Sequence, residues 1–258
     1  MKRLEPVSDA PIAIRAAVDL GWRAYRRNAW PLSGFALLAG GVNLLAQLGF
    51  RRASIAPENA AGDPLPALQL AAAAALLVWA LSGLWLLVGL MRGSEVALEG
   101  ERVAWKTPLL PDWPGMLRSG GTLLLIAFVL IAVRALADAS TDLLILAMPL
   151  LAGVVDQRHG ADAIVWGVLV YLAADQVLCL PITVLGGASP LAAVQSGRRA
   201  IDPHWLQALG LLLVVGLMLL AGVLLLLAGL VVTLPLALCT LSAAYRQLFG
   251  RPGNRLAR

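Results

Sequence analysis

The sequence predicts an all-α, polytopic membrane protein with six transmembrane helices in three hairpins and an N-terminal interfacial amphipathic helix. Three observations carry that prediction. Of the 258 residues, 60% are hydrophobic and 14% charged, and the mean hydropathy is +0.82. A soluble domain needs a charged surface over its core, and this chain lacks the charges to build one. Apolar runs of about 20 residues, the length a helix needs to cross a ~30 Å hydrocarbon layer, recur along the chain. Finally, if the first segment lies inside, only Arg51, Arg52, Arg134 and Arg158 fall outside, and the other sixteen of the twenty Lys and Arg residues stay on the inner side. Cations are retained in the cytoplasm, so the bias predicts the bacterial inner membrane with both termini cytoplasmic.

Residues 1–29 form the cytoplasmic front. Ser8 and Asp9 precede Pro11, a cap-then-proline helix start. Ile14, Val18, Trp22 and Tyr25 share one face at helical spacing, and Arg15, Asp19, Arg23 and Arg26 share the other. The helix is predicted to lie on the inner leaflet, with Arg15, Arg23, Arg26 and Arg27 meeting anionic headgroups. No cleavable signal is expected, because the first long apolar run starts only at Trp30 and continues as a full span.

The membrane domain covers residues 30–249, with spans near 30–50, 67–91, 113–136, 164–185, 205–226 and 229–248. Arg51 and Arg52 close the first span and Arg92 the second. In the third, Arg118 and Arg134 must snorkel to opposite surfaces. The fourth, Ile164–Leu185, is interrupted by Asp175. Asp202 is followed by no charge until Arg246. One helix over that distance would be roughly twice the bilayer thickness, so two spans with a tight turn near Gly222–Gly229 are predicted. Leu143–Val155 is apolar but short and carries Pro149, which predicts an interfacial or re-entrant segment. Residues 250–258 form a basic cytoplasmic tail. Tryptophans precede the first, third and fifth spans at Trp30, Trp113 and Trp205, and CLPITVLGGAS around Pro181 matches TLPLALCTLSA around Pro235. These matches predict three hairpins related by parallel repetition.

Several function classes are excluded. The net charge of +5 lies beside hydrophobic spans, where it meets headgroups, so no nucleic-acid partner is expected. Cys179 and Cys239 sit in apolar runs without metal or disulfide spacing. His159 and His204 are expected in loops on opposite sides, so no metal site and no cofactor is predicted. No nucleophile elbow, P-loop, HExxH or CxxC motif occurs, and no enzyme activity is expected. Glu95, Glu99 and Glu101 are read as a mixed-sign solvated surface with a short Glu95–Glu99 helix, or as a partner-coupling one.

Asp175 is the sharpest single residue. A carboxylate at mid-span must face protein or water, which makes it a candidate proton or cation site together with Gln176. Pro181 removes the donor that would pair with the Val177 carbonyl. Asn43 and Gln47, at i,i+4 on the first span, complete a hypothetical intramembrane polar site, with Arg134 as a further candidate partner. The competing reading is structural: polar groups between spans hold helices together for ~0.6–2 kcal/mol each. The small residues Gly40, Gly41, Gly210, Gly216 and Gly222 would permit close helix approach. Expected partners are therefore anionic lipids, other membrane proteins, or a second copy of the chain.

The segments SPLAAVQSGRRAIDPHW (189–205) and AGLVVTLPLALCTLSAAYRQLFG (228–250), with Arg26, Asn28 and Trp30 at the first span's entry, carry a family resemblance. The chain resembles a group of uncharacterised six-span bacterial membrane proteins, itself similar to the membrane domain fused to some glycerophosphodiester phosphodiesterases. The likeness covers most of the chain in layout and about the last sixty residues in motif. It implies architecture and no catalytic residues, and the chain contains no phosphodiesterase domain.

Overall fold

The computed structural model describes residues 11–54, 66–147, 158–225 and 228–250. Among these the regular elements are all helical: α1 Ile14–Arg27, α2 Ala29–Ser54, α3 Pro66–Leu98, α4 Lys106–Leu109, α5 Trp113–Ala147, α6 Arg158–Asp175, α7 Cys179–Val184, α8 Pro190–Ile201, a 3-10 turn Asp202–His204, α9 Trp205–Leu224 and α10 Leu230–Phe249. Six helical stretches are long and apolar enough to cross a membrane: Ala29–Arg52, Leu70–Leu98, Trp113–Ser140, Trp166–Val184, Pro190–Leu224 and Leu230–Phe249. The chain is thus an all-α, multi-pass integral membrane protein. Its residues cluster into two compact units, one of residues 1–14, 118–214 and 245–258 and the other of 15–117 and 215–244.

In the second unit, α2 and α3 form an antiparallel hairpin. Phe35 and Trp85 meet edge to face at 5.1 Å between ring centroids, and the Trp85 indole donates to the Leu109 carbonyl at 3.2 Å. Gly89 makes this approach possible, because a Cβ there would collide with Phe35 and the Pro108 carbonyl. The loop behind the hairpin is held by Asn28, which is buried. Its amide nitrogen donates to the carbonyls of Glu101 (3.2 Å) and Ala24 (3.4 Å), and its oxygen accepts from the Val103 N–H at 2.9 Å. Arg27 donates to the Gly100 carbonyl at 2.9 Å, where a φ of +85° suits glycine. Ser94 and Ser242 share a buried hydrogen bond of 2.6 Å.

In the first unit, the hydroxyls of Thr122 on α5 and Thr183 on α7 bond at 3.0 Å, one donating to the other, and the accepting hydroxyl donates in turn to a carbonyl one turn back on its own helix. Arg118 donates to the Gly187 carbonyl at 3.2 Å. Interhelical hydroxyl pairs of this kind take the place of the hydrophobic driving force that lipid removes.

Several expectations change. Helix α1 begins at Ile14 rather than after Pro11, because the Gln247 amide bonds both the N–H and the carbonyl of Ala13, at 3.0 and 3.2 Å. Ser8 and Asp9 lie outside the described residues. The buried stripe of α1 is Ala17, Gly21, Ala24 and Tyr25, whereas Trp22 remains 46% exposed. Small side chains admit a neighbouring helix: a Cβ on Gly21 would clash with the backbone of Thr240. The front helix is therefore docked on its own chain through this stripe, leaving Trp22, Leu20 and the arginines outward. Helix α3 runs on to Leu98, so Glu95 belongs to a long helix and not to a separate short one. Helix α5 runs to Ala147, taking in residues 143–147 of the expected interfacial segment, and 148–155 lie outside the described residues. His159 sits in the first turn of α6 rather than in a loop. The Gly222–Gly229 turn is present, with the Gly229 N–H bonded to the Leu225 carbonyl at 3.3 Å.

Asn28→Ala removes three hydrogen bonds and leaves buried backbone groups unpaired. It should destabilise the folded protein by about 2–3 kcal/mol, read as a lower unfolding midpoint in SDS titration of detergent-solubilised protein. Gly21→Leu should release α1, exposing the 15–27 segment to proteolysis while the six spans remain helical by circular dichroism.

Candidate functional site

The fourth span is two helices. Helix α6 stops at Asp175, residues 176–178 form a turn, and α7 restarts at Cys179. Within the turn the Cys179 N–H bonds to the Gln176 carbonyl at 3.0 Å instead of reaching back to Asp175. The restart places Pro181 in the first turn of α7, where its missing N–H leaves no gap in that helix. Proline alone does not force the break, since the matching Pro235 lies inside the continuous α10.

Asp175 is 5% exposed, and its Oδ1 has no hydrogen-bond partner among the described residues, nor has the buried Oε1 of Gln176. Helix α8 closes over the break. A Cβ on Gly197 would contact Cys179, Ile182 and the Asp175 carbonyl at 3.2–3.8 Å, and the Cys179 thiol points to the Ala193 carbonyl at 3.8 Å. The charged groups acting on Asp175 are Asp202 and Arg198. These two form a 3.6 Å ion pair with both side chains about half exposed or more, and the Tyr171 hydroxyl donates to Asp202 at 3.4 Å. Asp202 and Arg198 thus join the site through the fold. The sequence signal for them was only their i,i+4 spacing, which many exposed helices share.

Asn43 and Gln47 belong to the second unit and Asp175 and Gln176 to the first. The Asn43 amide donates to the Trp79 carbonyl (2.8 Å) and to Ser82 (3.0 Å), both on α3. It therefore ties the α2–α3 hairpin, and Gln47 lies half-buried one turn further. Arg134 is paired with Asp138 at 3.1 Å, and this pair borders an open, apolar groove of about 500 Å³ between α5 and α6, lined also by Ile131, Trp166 and Val170.

Of the four arginines expected to meet headgroups, Arg23 and Arg27 flank a shallow cleft of about 110 Å³, with Leu20, Leu98 and Gly100. Arg15 and Arg26 are exposed on the same helix and do not line it. Cys179 and Cys239 are free and buried, and no cluster of metal-ligating side chains occurs among the described residues.

The paired cations of the cleft set an expected outcome. Arg23→Gln with Arg27→Gln should weaken retention of anionic phospholipid during delipidation several-fold relative to Arg15→Gln with Arg26→Gln, measured by native mass spectrometry. Equal retention in the two double variants would show that the cleft selects nothing. Comparison with family models, curated proteins and solved structures finds no match.

Proposed function

We propose that this chain is a non-enzymatic component of the bacterial inner membrane that works by assembling with lipids or other membrane proteins, its termini in the cytoplasm. One observation carries the reading: in its most apolar stretch the third span is only 6% buried and the second 11%, against 56% for the last. Helices so little covered by their own chain leave broad apolar faces for lipid or for another protein's helices. Gly40, Gly41 and Gly216 agree with this, since a Cβ at each would meet nothing within 4 Å. Gly210 and Gly222 are instead used internally, against Ile14 and Leu230. The charge bias supports the orientation, and the likeness of residues 189–205 and 228–250 to the six-span group supports a shared architecture.

A second reading, a small transporter or permease subunit with its polar site around Asp175, is favoured by the broken fourth span. Irregular backbone at membrane depth is tolerated where it is enclosed by protein or lines a polar path, and it recurs at transporter binding sites.

Phe128 is 69% exposed on the third span, so a Phe128→Cys variant tests the assembly reading in native membranes. Cross-linking there is expected to give a discrete band containing a second copy or one other membrane protein. A cross-link pattern no different from that of an unrelated span of equal hydropathy would defeat it.

A further inference from the structure

The break in the fourth span gathers oxygen acceptors without donors. Asp175 Oδ1 and Gln176 Oε1 are buried and have no hydrogen-bond partner among the described residues. The Asp175 carbonyl has lost its helical donor, because the Cys179 N–H turns to Gln176. The Val177 carbonyl has none either, because the residue four positions on is Pro181. Four oxygens on three consecutive residues thus face the same deficit. They sit midway along Trp166–Val184, at the C-terminal end of an 18-residue helix whose dipole places negative potential there. Unpaired acceptors in a low-dielectric layer cost too much to leave unmatched. A second arginine or amide would have served as partner, and among the described residues none does.

We propose that this break is a binding site for a monovalent alkali cation, held by the Asp175 carboxylate, the Gln176 amide oxygen and the freed carbonyls of residues 175 and 177. Hard oxygen donors suit such an ion. The charge balance selects a single positive charge: Asp202 is compensated by Arg198, and the Asp175 carboxylate remains. Divalent sites gather more carboxylates than this. Asp202, Arg198 and Tyr171, all partly exposed, mark the side from which the ion enters. The inference rests on the transporter reading for its purpose and on the helix break for its chemistry.

The test uses the full chain in nanodiscs at pH 8, with thermal unfolding followed in sodium, potassium or choline chloride at equal ionic strength. Sodium or potassium should raise the midpoint saturably by at least ~2 °C over choline. The gain should vanish in Asp175→Asn, weaken in Gln176→Leu, and persist in Asn43→Ala, which breaks only the α2–α3 seam. Should Asp175→Asn fail to fold, the wild-type contrast between alkali and choline salts decides alone. Equal midpoints in all three salts overturn the proposal. So does stabilisation by acidification to pH 6 with no alkali effect, which would make the occupant a proton. Tracer flux in proteoliposomes separates the two ideas: binding without flux keeps the cation site and ends the transport reading, and absence of binding ends the site whatever the flux.

Discussion

Every backbone N–H and carbonyl placed in hydrocarbon must find its partner inside the protein, and the architecture of this chain follows from that constraint. It explains why the described spans are helices, and why exceptions to helical pairing stand out. The interruption of the fourth span at residues 176–178 is enclosed by α8, whose Gly197 brings its backbone against the break. Where carbonyls leave the helical ladder, the fold covers them with protein and not with lipid.

The second recurring device is the pairing of small with polar. Apolar contact between helices gains little in a bilayer, since lipid tails are as apolar as leucine. The chain instead uses glycines to admit a neighbour, as at Gly21 against Thr240 and Gly89 against Phe35, and hydroxyl or amide groups to bond across the seam. Ser94–Ser242 and Thr122–Thr183 are such bonds. Asn28 does the same for a loop, and two bonds from one amide fix residues 101–103 beneath the first hairpin. The second and third spans stay broadly uncovered over most of their described length, which is why assembly with another surface is the natural reading of their faces.

Much of this was legible from residues in order. Six spans follow from uncharged length alone, because bilayer thickness fixes how long an apolar helix must be. Asp175 was legible as the site's central residue for the same reason: a carboxylate amid an apolar run has no innocent solvent-facing position. Its partners were not. Asn43 has the right polarity and depth, yet its donors are consumed by Trp79 and Ser82, a choice made by the hairpin's register. Asp202 and Arg198 read as an ordinary exposed pair until α8 brings them within electrostatic reach of Asp175. Hydrophobic periodicity picks out the face of the front helix that carries Trp22, which stays exposed, and does not report the small-residue stripe Ala17–Gly21–Ala24 through which the helix packs.

The sequence by itself determined the solvent, the number of apolar spans and the depth of Asp175 within its span, because these depend on transfer energies summed along the chain. Only the tertiary structure decided which polar groups are already satisfied and which are not. That distinction depends on donors arriving from other helices, and no spacing along one helix reports it. Asn43 and Asp175 look alike as polar residues within apolar spans. Helix packing completes the first and leaves the second with an open oxygen at a break in its span.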